Sequence, residues 1–515
     1  MDILKVLKNE LKNKKMAIVL LVLIQLVSVC VNSLIPILSG NFLNLLITGI
    51  NKDGIIKYSG LIIIIGILGT VLAYLYELAS VKAKNNVSFK INKYVIDYIQ
   101  KIPIRRFEEY NPVYLNQRVN SDSAVVGGFF FDNILMAIVN GLQLLLIFII
   151  IANMKMTVLY IILSCIFVYS IVYRIVFKSL YVYGKRYKEE QNIFFNSMNE
   201  NYELSREIRA HSLYENISIK LVESYRRFFD SLFKYTKVSA LFMSLDSLVS
   251  LIFQAIIFLY GGFQVIDGKL SIGEFSIMSI FFSSTIAIIK YFFQWGKEYQ
   301  EYKVSVDRIN KLLLIEQDKN GTVIIDEINK IQVKLSGKYI NIDRNGIYVV
   351  RGANGSGKTT LIYRIIGLLY SENIVKINDK NISDIDIYEL RRKVDIMLQN
   401  ERVPNISVEG YLNLDFESVE RIMNEFCFDE LICLKDIWHK NILEMSDGER
   451  QFVVYIKTIM GKNEILILDE PSSDMSVESI NLLMRSLNVL KHEKKIILIT
   501  HNKRLYEMAD SIIDC

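Results

Sequence analysis

Residues 352–359 read Gly-Ala-Asn-Gly-Ser-Gly-Lys-Thr, which satisfies the phosphate-binding pattern G-x-x-x-x-G-K-[ST]. The apolar run at 347–350 has the character of a buried strand, and residues 360–366 have that of a helix. The glycines therefore fall in a strand-to-helix turn, where backbone N–H groups and the positive end of a helix can face an anion. The pattern predicts a site for a nucleoside triphosphate.

The side chains of this loop have chemistry that suits a phosphate site. Lys358 is expected to reach the β- and γ-phosphates as a point charge, and the Thr359 hydroxyl can ligate Mg²⁺. The other predicted nucleotide contacts in the loop are Gly352, Asn354, Gly355, Ser356, Gly357 and Thr360.

The hydrophobic residues are concentrated ahead of this loop. Of 515 residues, 51% are hydrophobic, and almost all of the excess lies before about residue 297. A run of about 20 apolar residues is long enough to cross a bilayer. Six runs reach that length, near 16–38, 58–79, 128–153, 157–178, 239–264 and 274–296. The sequence therefore predicts a polytopic α-helical membrane domain of six spans, fused to an α/β P-loop NTPase domain.

The connections between the runs predict an orientation. Two long polar segments, at about 80–127 and 179–238, are rich in Lys and Arg, whereas the connection at 154–156 is very short. By the positive-inside rule, the N-terminus, both long segments and the nucleotide site lie in the cytosol of a multi-pass cell-membrane protein. We expect domain bounds of 1–315 for the membrane domain and 316–515 for the nucleotide-binding domain.

Other features exclude some classes of protein. Residues 1–15 are amphipathic and lysine-rich, which predicts an interfacial helix rather than a cleavable signal peptide. Since this helix leads directly into the first span, we expect no peptidase domain ahead of it. The net charge of +5 lies largely in membrane-proximal segments, where it suits a lipid bilayer, and no motif indicates nucleic acid. The five cysteines have no metal-ligand spacing and are expected to be reduced thiols.

Two further strand-like runs end in polar residues. The run 465–468 is followed by Asp469 and Glu470, and the run 496–500 is followed by His501. In parallel sheets, ligands bind at the carboxyl ends of the strands. Asp469 is expected to hold Mg²⁺, Glu470 to polarise the attacking water, and His501 to meet the γ-phosphate. The alternative is a pair of solvated acids at a strand end.

With these motifs in fixed order, the chain resembles ATP-binding cassette (ABC) exporters of the half-size kind, which fuse six membrane helices to one nucleotide-binding domain. Residues 469–473 look like the Walker B motif and its extension, His501 matches the switch histidine, and Gln399 matches the Q-loop glutamine. Residues 445–451, Met-Ser-Asp-Gly-Glu-Arg-Gln, match the signature L-S-G-G-Q-R-Q imperfectly.

The resemblance implies ligands and roles. ATP and Mg²⁺ would be the cofactors, with Glu470, His501 and Gln399 catalytic. Thr359, Gln399 and Asp469 would hold the metal. Ser446 and Gly448 of the signature would contact nucleotide.

The resemblance also implies a second half-transporter as partner, with a homodimer favoured over a heterodimer. Each ATP would lie between the phosphate loop of one subunit and the signature helix of the other, so that hydrolysis drives alternating access. The helices that transmit this motion are expected near 111–116 and 212–217.

Three residues depart from the family pattern. Asp447 replaces a signature glycine, Glu449 replaces glutamine, and Ser476 stands where the family has the D-loop aspartate. No aromatic residue is evident for adenine stacking, because Tyr339 is assigned to the strand that leads to Gly346. These departures bear on turnover and not on the fold.

We expect ATP-driven export of an amphipathic substrate, such as a small antimicrobial or modified peptide, across the cytoplasmic membrane. The alternatives are a lipid or drug exporter and a nucleotide-gated regulatory membrane protein with negligible turnover. Charged Arg174 and Lys290 are expected to snorkel. Polar residues within the runs should face the bundle interior or a wet cavity, namely Gln25, Asn32, Asn140, Gln143, Asp246 and Gln254.

Overall fold

The chain, in a computed structural model, forms two compact units. The structure describes residues 2–49, 52–110, 112–335, 338–353, 355–370, 373–399, 401–428, 433–473 and 475–515. The first unit comprises Met1–Asp97 and Val113–Leu314, and the second comprises Tyr98–Pro112 and Ile315–Cys515. The predicted domain bounds, 1–315 and 316–515, place Tyr98–Pro112 in the membrane domain, whereas the structure groups this segment with the second unit.

The first unit is entirely helical in the part of it that the structure describes. Six helical stretches are long and apolar enough to span a membrane, as the sequence predicts. The helices are α1 (Ile3–Asn13), α2 (Lys15–Ile47), α3 (Lys52–Ile99), α5 (Pro112–Phe129), a π-helical segment (Phe130–Leu135), α6 (Met136–Met154), α7 (Met156–Glu203), α8 (Ser205–His211), α9 (Tyr214–Ile266) and α10 (Ile272–Leu313).

The spanning helices continue far beyond the apolar runs, and aromatic pairs hold these extensions together. Between α7 and α9, the rings of Phe194 and Phe228 stack at 5.4 Å, and those of Tyr187 and Tyr235 stack at 5.6 Å. Such offset pairs contribute about 0.5–1.5 kcal/mol beyond their buried area. The second long polar segment is therefore a continuation of two membrane helices rather than a separate domain.

Helix α10 lies at the centre of this unit, in contact with α2, α6 and α9. The Thr285 side chain on it is fully buried, and its hydroxyl donates to the Phe281 carbonyl. Lys290, which is expected to snorkel, has an acidic partner that the sequence did not indicate. Its ammonium lies 2.7 Å from the Asp246 carboxylate, which removes the cost of two unpaired charges in this environment.

The N-terminal helix has the amphipathic character that its sequence indicates. Asp2 caps it by accepting from the Leu4 N–H, and Ile3 and Leu7 are buried. The Asn310 side chain of α10 accepts from the Ile3 N–H and donates to Asp2, so that α1 is tied to the end of α10.

The expected positions of the two transmitting helices are wrong in detail. Asn111 lies outside the described residues, and Pro112 begins the long helix α5, while the short helix nearby is α4 (Ile104–Glu108). In the second segment the short helix is α8, which ends at Ser212 in a left-handed conformation with φ of 54°. Residues 212–217 are thus a turn followed by the start of α9. Such a φ is uncommon for a residue other than glycine.

The second unit is an α/β domain with two sheets. The antiparallel sheet has the order β2, β1, β4, β5, and the parallel sheet has the order β6, β7, β8, β3, β9. Its strands are β1 (Ile331–Leu335), β2 (Lys338–Ile342), β3 (Gly346–Arg351), β4 (Val375–Ile377), β5 (Lys380–Asn381), β6 (Val394–Met397), β7 (Ile465–Asp469), β8 (Lys495–Ile499) and β9 (Ser511–Asp514). Its helices after α4 are α11 (Lys358–Ile365), α12 (Ile387–Arg392), α13 (Val408–Leu412), α14 (Phe416–Glu425), α15 (Leu434–Ile437), α16 (Asp447–Ile459), α17 (Val477–Leu490) and α18 (Lys503–Tyr506).

The parallel sheet is buried on both faces, which explains its unbroken apolar runs. On β7, Leu466 and Leu468 belong to one hydrophobic core, whereas Ile465 and Ile467 belong to the other. The predicted strands at 347–350, 465–468 and 496–500 are confirmed, with boundaries that differ by a residue or two. Tyr339 lies on β2, as its sequence context indicates.

Candidate nucleotide-binding site

The carboxyl ends of four parallel strands meet at one edge of this sheet. Asp469, the last residue of β7, pairs with Ile499 at the end of β8, and Ile499 also pairs with Val350 of β3. On the other side, Met397 of β6 pairs with Leu468. The phosphate loop after β3, Asp469 with Glu470, His501 and Gln399 therefore all emerge at the same edge.

The phosphate loop has the backbone that glycine permits. Gly355 and Gly357 have φ of +81° and +100°, which residues other than glycine rarely adopt. A Cβ on Gly352 would collide with the Ser356 hydroxyl and lie 2.7 Å from the Cys515 carbonyl. Asn354 lies outside the described residues. Glycine is thus required at three of the predicted positions by geometry alone.

Lys358 is folded onto its own loop. Its ammonium donates to the Gly352 carbonyl at 2.9 Å and to the Ala353 carbonyl at 3.2 Å, and the side chain is only 8% exposed. These carbonyls hold a positive charge in the loop at the N-terminus of α11. Thr359 and Thr360 follow in the first turn of that helix and are half-buried.

Asp469 is a buried carboxylate with unfilled acceptor capacity. It is 1% exposed, and neither carboxylate oxygen has a hydrogen-bond partner among the described residues. Burial raises its pKa, while the nearby Thr359 hydroxyl and Lys358 ammonium oppose that rise. A hard cation with oxygen ligands satisfies such a carboxylate, so the residues fit Mg²⁺.

The fit to Mg²⁺ depends on a nucleotide. Among the described residues, no group of three or more His, Cys, Asp or Glu side chains is placed to hold a metal. Mg²⁺ usually binds through one or two carboxylates together with substrate phosphates. Gln399, which is exposed just after β6, and Thr359 are the other predicted ligands at this edge.

Glu470 has an unusual backbone conformation. Its φ is +54°, although it is not glycine, and its N–H donates to the Ile499 carbonyl at 2.9 Å. A non-glycine residue in the left-handed region costs roughly 1–2 kcal/mol. Residues held in this way cluster at functional sites. The Glu470 side chain lies beside that of His501.

Glu470 and His501 form a pair at the end of the sheet. The His501 N–H donates to Glu470 Oε2 at 3.3 Å, and His501 Nε2 lies 3.4 Å from Oε1. Burial raises the pKa of Glu470, and its contacts with His501 oppose that rise. The Glu470 side chain is 12% exposed and that of His501 is 56% exposed, so the histidine faces solvent where a phosphate would approach.

The predicted signature lies at the start of α16, where its polar groups are bonded to acidic residues of the same segment. Ser446 is the N-cap, and its hydroxyl and N–H both donate to Glu449 Oε2, at 2.8 and 3.0 Å. This capping box lowers the pKa of Glu449. Asp447 pairs with Arg450 one turn along the helix. Gly448 follows Asp447 in the same first turn.

Sequence reasoning assigned no role to Gln451, and the structure supplies one. Its side-chain amide donates to the Glu470 carbonyl at 3.1 Å and to the Ser473 hydroxyl at 3.0 Å. Gln451 therefore joins α16 to the turn that carries Glu470. Ser476 is also placed, as the N-cap of α17 that accepts from the Ser479 N–H. The Ser446-x-x-Glu449 spacing was a visible signal for the capping box.

A cavity of about 530 Å³ separates the segment after β6 from α16. Glu401, Arg402, Asp447, Arg450 and Gln451 are among its lining residues. Burial raises the pKa of Glu401, while the Leu398 N–H and the nearby Lys457 act against it. The residues around Gln399 and the signature helix thus share one polar cavity within this unit.

Two family models match the chain. The model described as ABC transporter transmembrane region covers residues 18–289, just over half of the chain, and the model described as ABC transporter covers residues 335–473. The chain belongs to the ABC transporter family. The resemblance predicted from the sequence is confirmed, because an ABC transmembrane region and an ABC nucleotide-binding domain occupy one multi-pass membrane chain.

Three curated relatives illustrate the similarity of this ABC transporter. The exotoxin translocation ATP-binding protein PaxB of Pasteurella aerogenes is 24% identical over 279 residues, covering 49% of this chain and 39% of the relative. The lactococcin-G-processing and transport ATP-binding protein LagD of Lactococcus lactis is 24% identical over 313 residues, covering 55% of this chain and 44% of the relative. The putative hemin import ATP-binding protein HrtA of Staphylococcus saprophyticus is 29% identical over 195 residues, covering 35% of this chain and 86% of the relative. The chain spans about two fifths of the length of the first relatives that it matches.

Proposed function

We propose that this chain is an ATP-driven exporter that moves an amphipathic substrate across the cytoplasmic membrane. The observation that carries the proposal is the group formed by Lys358, Asp469, Glu470 and His501 at one sheet edge, in a chain with six membrane spans. A soluble ATPase has no need of the spans. A membrane protein without turnover has no need of a strained carboxylate beside the phosphate loop.

Each residue has a chemical role in the proposed hydrolysis. Lys358 and the loop N–H groups bind and orient the phosphates, together with Ser356 and the first turn of α11. Glu470 accepts a proton from the attacking water, and His501 orients Glu470 and contacts the γ-phosphate. Thr359, Asp469 and Gln399 hold Mg²⁺, which neutralises phosphate charge when bound.

We infer that a second half-transporter completes the site, and we favour a homodimer. Ser446 and Gly448 at the start of α16 would then contact the nucleotide held by the other subunit. The nucleotide-binding domain and the N-terminus would lie in the cytosol, since the basic residues of the long segments favour that side. ATP binding and hydrolysis would switch the membrane helices between inward- and outward-open arrangements.

A small peptide is the cargo that we favour. PaxB and LagD carry names that refer to exotoxin translocation and to lactococcin G transport, and the similarity to them supports a peptidic substrate. A lipid or an amphipathic drug is the alternative within the same mechanism.

A second candidate function has its own observation. The Ser446 hydroxyl already donates to Glu449, and Asp447 adds a second carboxylate at the helix end where a phosphate would bind. Both acids oppose the approach of another anion. This arrangement favours a nucleotide-gated membrane protein with negligible turnover.

The experiment that separates these functions uses the full chain in proteoliposomes. The exporter should hydrolyse ATP, hydrolyse it faster when a cargo peptide is added, and concentrate that peptide in the lumen of inside-out vesicles. Glu470→Gln should bind ATP with unchanged affinity but lose hydrolysis by about 10²–10⁴-fold, as removal of a general base does. Glu464→Gln, which changes an exposed acid next to the other end of β7, is the matched control. A wild-type protein that binds ATP without hydrolysis or transport would establish the nucleotide-gated alternative.

A further inference from the structure

The membrane unit contains an open polar cavity of about 430 Å³ between α2, the π-helical segment with α6, and α10. Ligand cavities in proteins commonly measure about 300–1,000 Å³, so this one can hold a small molecule or a short piece of a peptide. Its polar lining includes Gln25, Ser28, Asn32, Asp132, Asn140 and Gln143, together with Tyr291, whose hydroxyl donates to the Asn133 carbonyl. Four of the six intraspan polar residues singled out from the sequence are thus brought to one place.

The amides of this cavity have spare hydrogen-bonding capacity. No hydrogen bond is made by the side chain of Asn140 or of Gln143 among the described residues, while Asn32 donates only to Ser28, at 3.3 Å. Gln25 makes one weak contact, 3.4 Å from the Met136 sulfur. Polar groups in a membrane-spanning bundle are costly unless they are paired or wet. These amides therefore suit a ligand that brings its own donors and acceptors.

The charge carried by the described lining residues is negative only. Asp132 is its carboxylate, and none of the described lining residues is basic. The partner of Asp132 comes from outside the lining, since the Lys84 ammonium of α3 lies 2.7 Å from Asp132 Oδ2. The two side chains are 48% and 33% exposed, so this ion pair is accessible and exchangeable rather than buried.

The backbone near Asp132 is shaped to bring Lys84 to it. A Cβ on Gly127 would collide with the Ser88 hydroxyl and lie 2.8 Å from the Ser88 Cα, so α5 and α3 approach closely there. A Cβ on Gly128 would lie 3.3 Å from Asp132 Oδ2 and 3.6 Å from the Lys84 stem. Asp132 itself lies in the π-helical segment, a feature that is frequent at functional sites.

We propose that this cavity binds a cationic, amide-bearing cargo group, with Asp132 as its counter-ion and Lys84 as the internal cation that the cargo displaces. The inference rests on the proposed export function and specifies its substrate class. A primary ammonium or guanidinium group meets the carboxylate, and peptide-like N–H and C=O groups meet Asn32, Asn140 and Gln143. An anionic cargo is disfavoured by Asp132, and a purely apolar one leaves the amides unpaired.

The test measures binding by the full chain in nanodiscs of zwitterionic lipid, which adds no net charge of its own. The probes are a fluorescein-labelled Ala-Lys-Ala amide and the same peptide with the lysine Nε-acetylated. The quantity compared is the ratio of their dissociation constants, measured by fluorescence anisotropy. Wild-type protein should bind the free lysine peptide more tightly.

The variants should move this ratio in opposite directions. Asp132→Asn should reduce the preference for the free lysine peptide by about tenfold, the worth of one charged hydrogen bond. Lys84→Gln removes the competing cation and should increase the preference. The double variant should bind both peptides alike, because neither charge remains. Asp246→Asn, which removes the acid paired with Lys290 and outside this lining, is the matched control and should leave the ratio unchanged.

An unchanged ratio in Asp132→Asn protein that elutes as a single species and binds ATP would overturn the proposal. If that variant does not fold, Lys84→Gln decides alone, because it retains the acid and must strengthen binding of the free lysine peptide. The two proposals fail separately. Absence of ATP hydrolysis and transport contradicts export whatever the peptide ratio, whereas transport that is indifferent to lysine acetylation contradicts the cavity assignment only.

Discussion

At the scale of single residues, the nucleotide site combines two buried carboxylates with different surroundings. Asp469 is deeply buried, with both oxygens unpaired among the described residues, whereas Glu470 is paired with His501. Burial raises the pKa of both acids, and Lys358 opposes the rise in each, while the Thr359 hydroxyl acts on Asp469 and His501 acts on Glu470. These different surroundings support the proposed roles of Asp469 as a metal ligand and of Glu470 as a base.

The position of Lys358 leads to a first residue-scale prediction. Lys358→Ala should weaken ATP binding by about 10- to 100-fold, because a charge-assisted contact with the phosphates is lost. Equilibrium binding of a fluorescent ATP analogue to the full chain measures this. Lys462→Ala removes the same charge from an exposed position before β7 and should have no effect. Equal affinities for the two variants would contradict the proposed phosphate loop.

A second residue-scale prediction concerns pH. Hydrolysis needs ionised Glu470, so activity should fall as the pH drops through a pKa that lies above the ordinary value for glutamate. His501 lowers that pKa, and the residual activity of His501→Ala should therefore fall at a higher pH than that of the wild type. The acid limb of the ATPase rate profile reports the shift. His492→Ala, an exposed histidine that follows α17, should leave the limb in place.

At the scale of elements, helix α16 links the predicted signature to the turn that carries Glu470. Its first turn carries Asp447 and Glu449, which favour the positive end of a helix, and Gln451 fastens it to Glu470. The same acids that stabilise the helix occupy the position where a phosphate is expected. If the start of α16 meets the nucleotide of a second subunit, as proposed, we expect the stability of this helix and the affinity for that nucleotide to oppose each other.

The conflict within α16 can be measured. Asp447→Gly should strengthen ATP-dependent association of two chains, since one carboxylate at the helix end is removed. It should also lower the free energy of unfolding by about 0.3–1 kcal/mol, because an acid is lost from the first turn of the helix. Crosslinking across the dimer and a melting curve report the two effects. Weaker association in Asp447→Gly than in the wild type would show that Asp447 is a contact and not an obstacle.

Close packing of α5 on α3 gives another element-scale prediction. Gly127→Ala should lower the melting temperature of the detergent-solubilised chain, because the new methyl group would meet the Ser88 backbone at less than 3 Å. Gly141→Ala on α6 is the control, since nothing lies within 4 Å of its added Cβ. That variant should be neutral or more stable by about 0.5–1 kcal/mol from helix propensity alone. Similar melting temperatures for both variants would contradict the close approach.

Elements with strong periodicity or length were predictable from the sequence, and features that depend on tertiary geometry were not. Six apolar runs are sufficient for six spans, and apolar runs ending in Asp469 and before His501 are sufficient for two adjacent parallel strands. The positive φ of Glu470 has no sequence pattern, because glutamate rarely adopts it. The partner of Lys290 was missed because Asp246 lies on another helix.

At the scale of the whole molecule, the chain passes between its two units three times. Beyond Asp97 it leaves the membrane unit, it returns at Val113, and it leaves again after Leu314. Hydrogen bonds join the two parts of the second unit at these passages. The Tyr98 hydroxyl donates to the Ile315 carbonyl at 2.8 Å, and the Asp318 N–H donates to the Lys101 carbonyl at 2.7 Å.

This interleaving dictates an order of events during synthesis. Tyr98–Pro112 is synthesised well before Ile315, the first residue of the segment with which it forms hydrogen bonds. Until that segment is made, the groups that pair with it form hydrogen bonds with water instead. Part of the second unit is therefore made between the second and third spans, ahead of the rest of that unit. Contacts of such long sequence separation slow folding and expose intermediates to aggregation and proteolysis. The second unit therefore reaches its full set of contacts only after all six candidate spans have been synthesised.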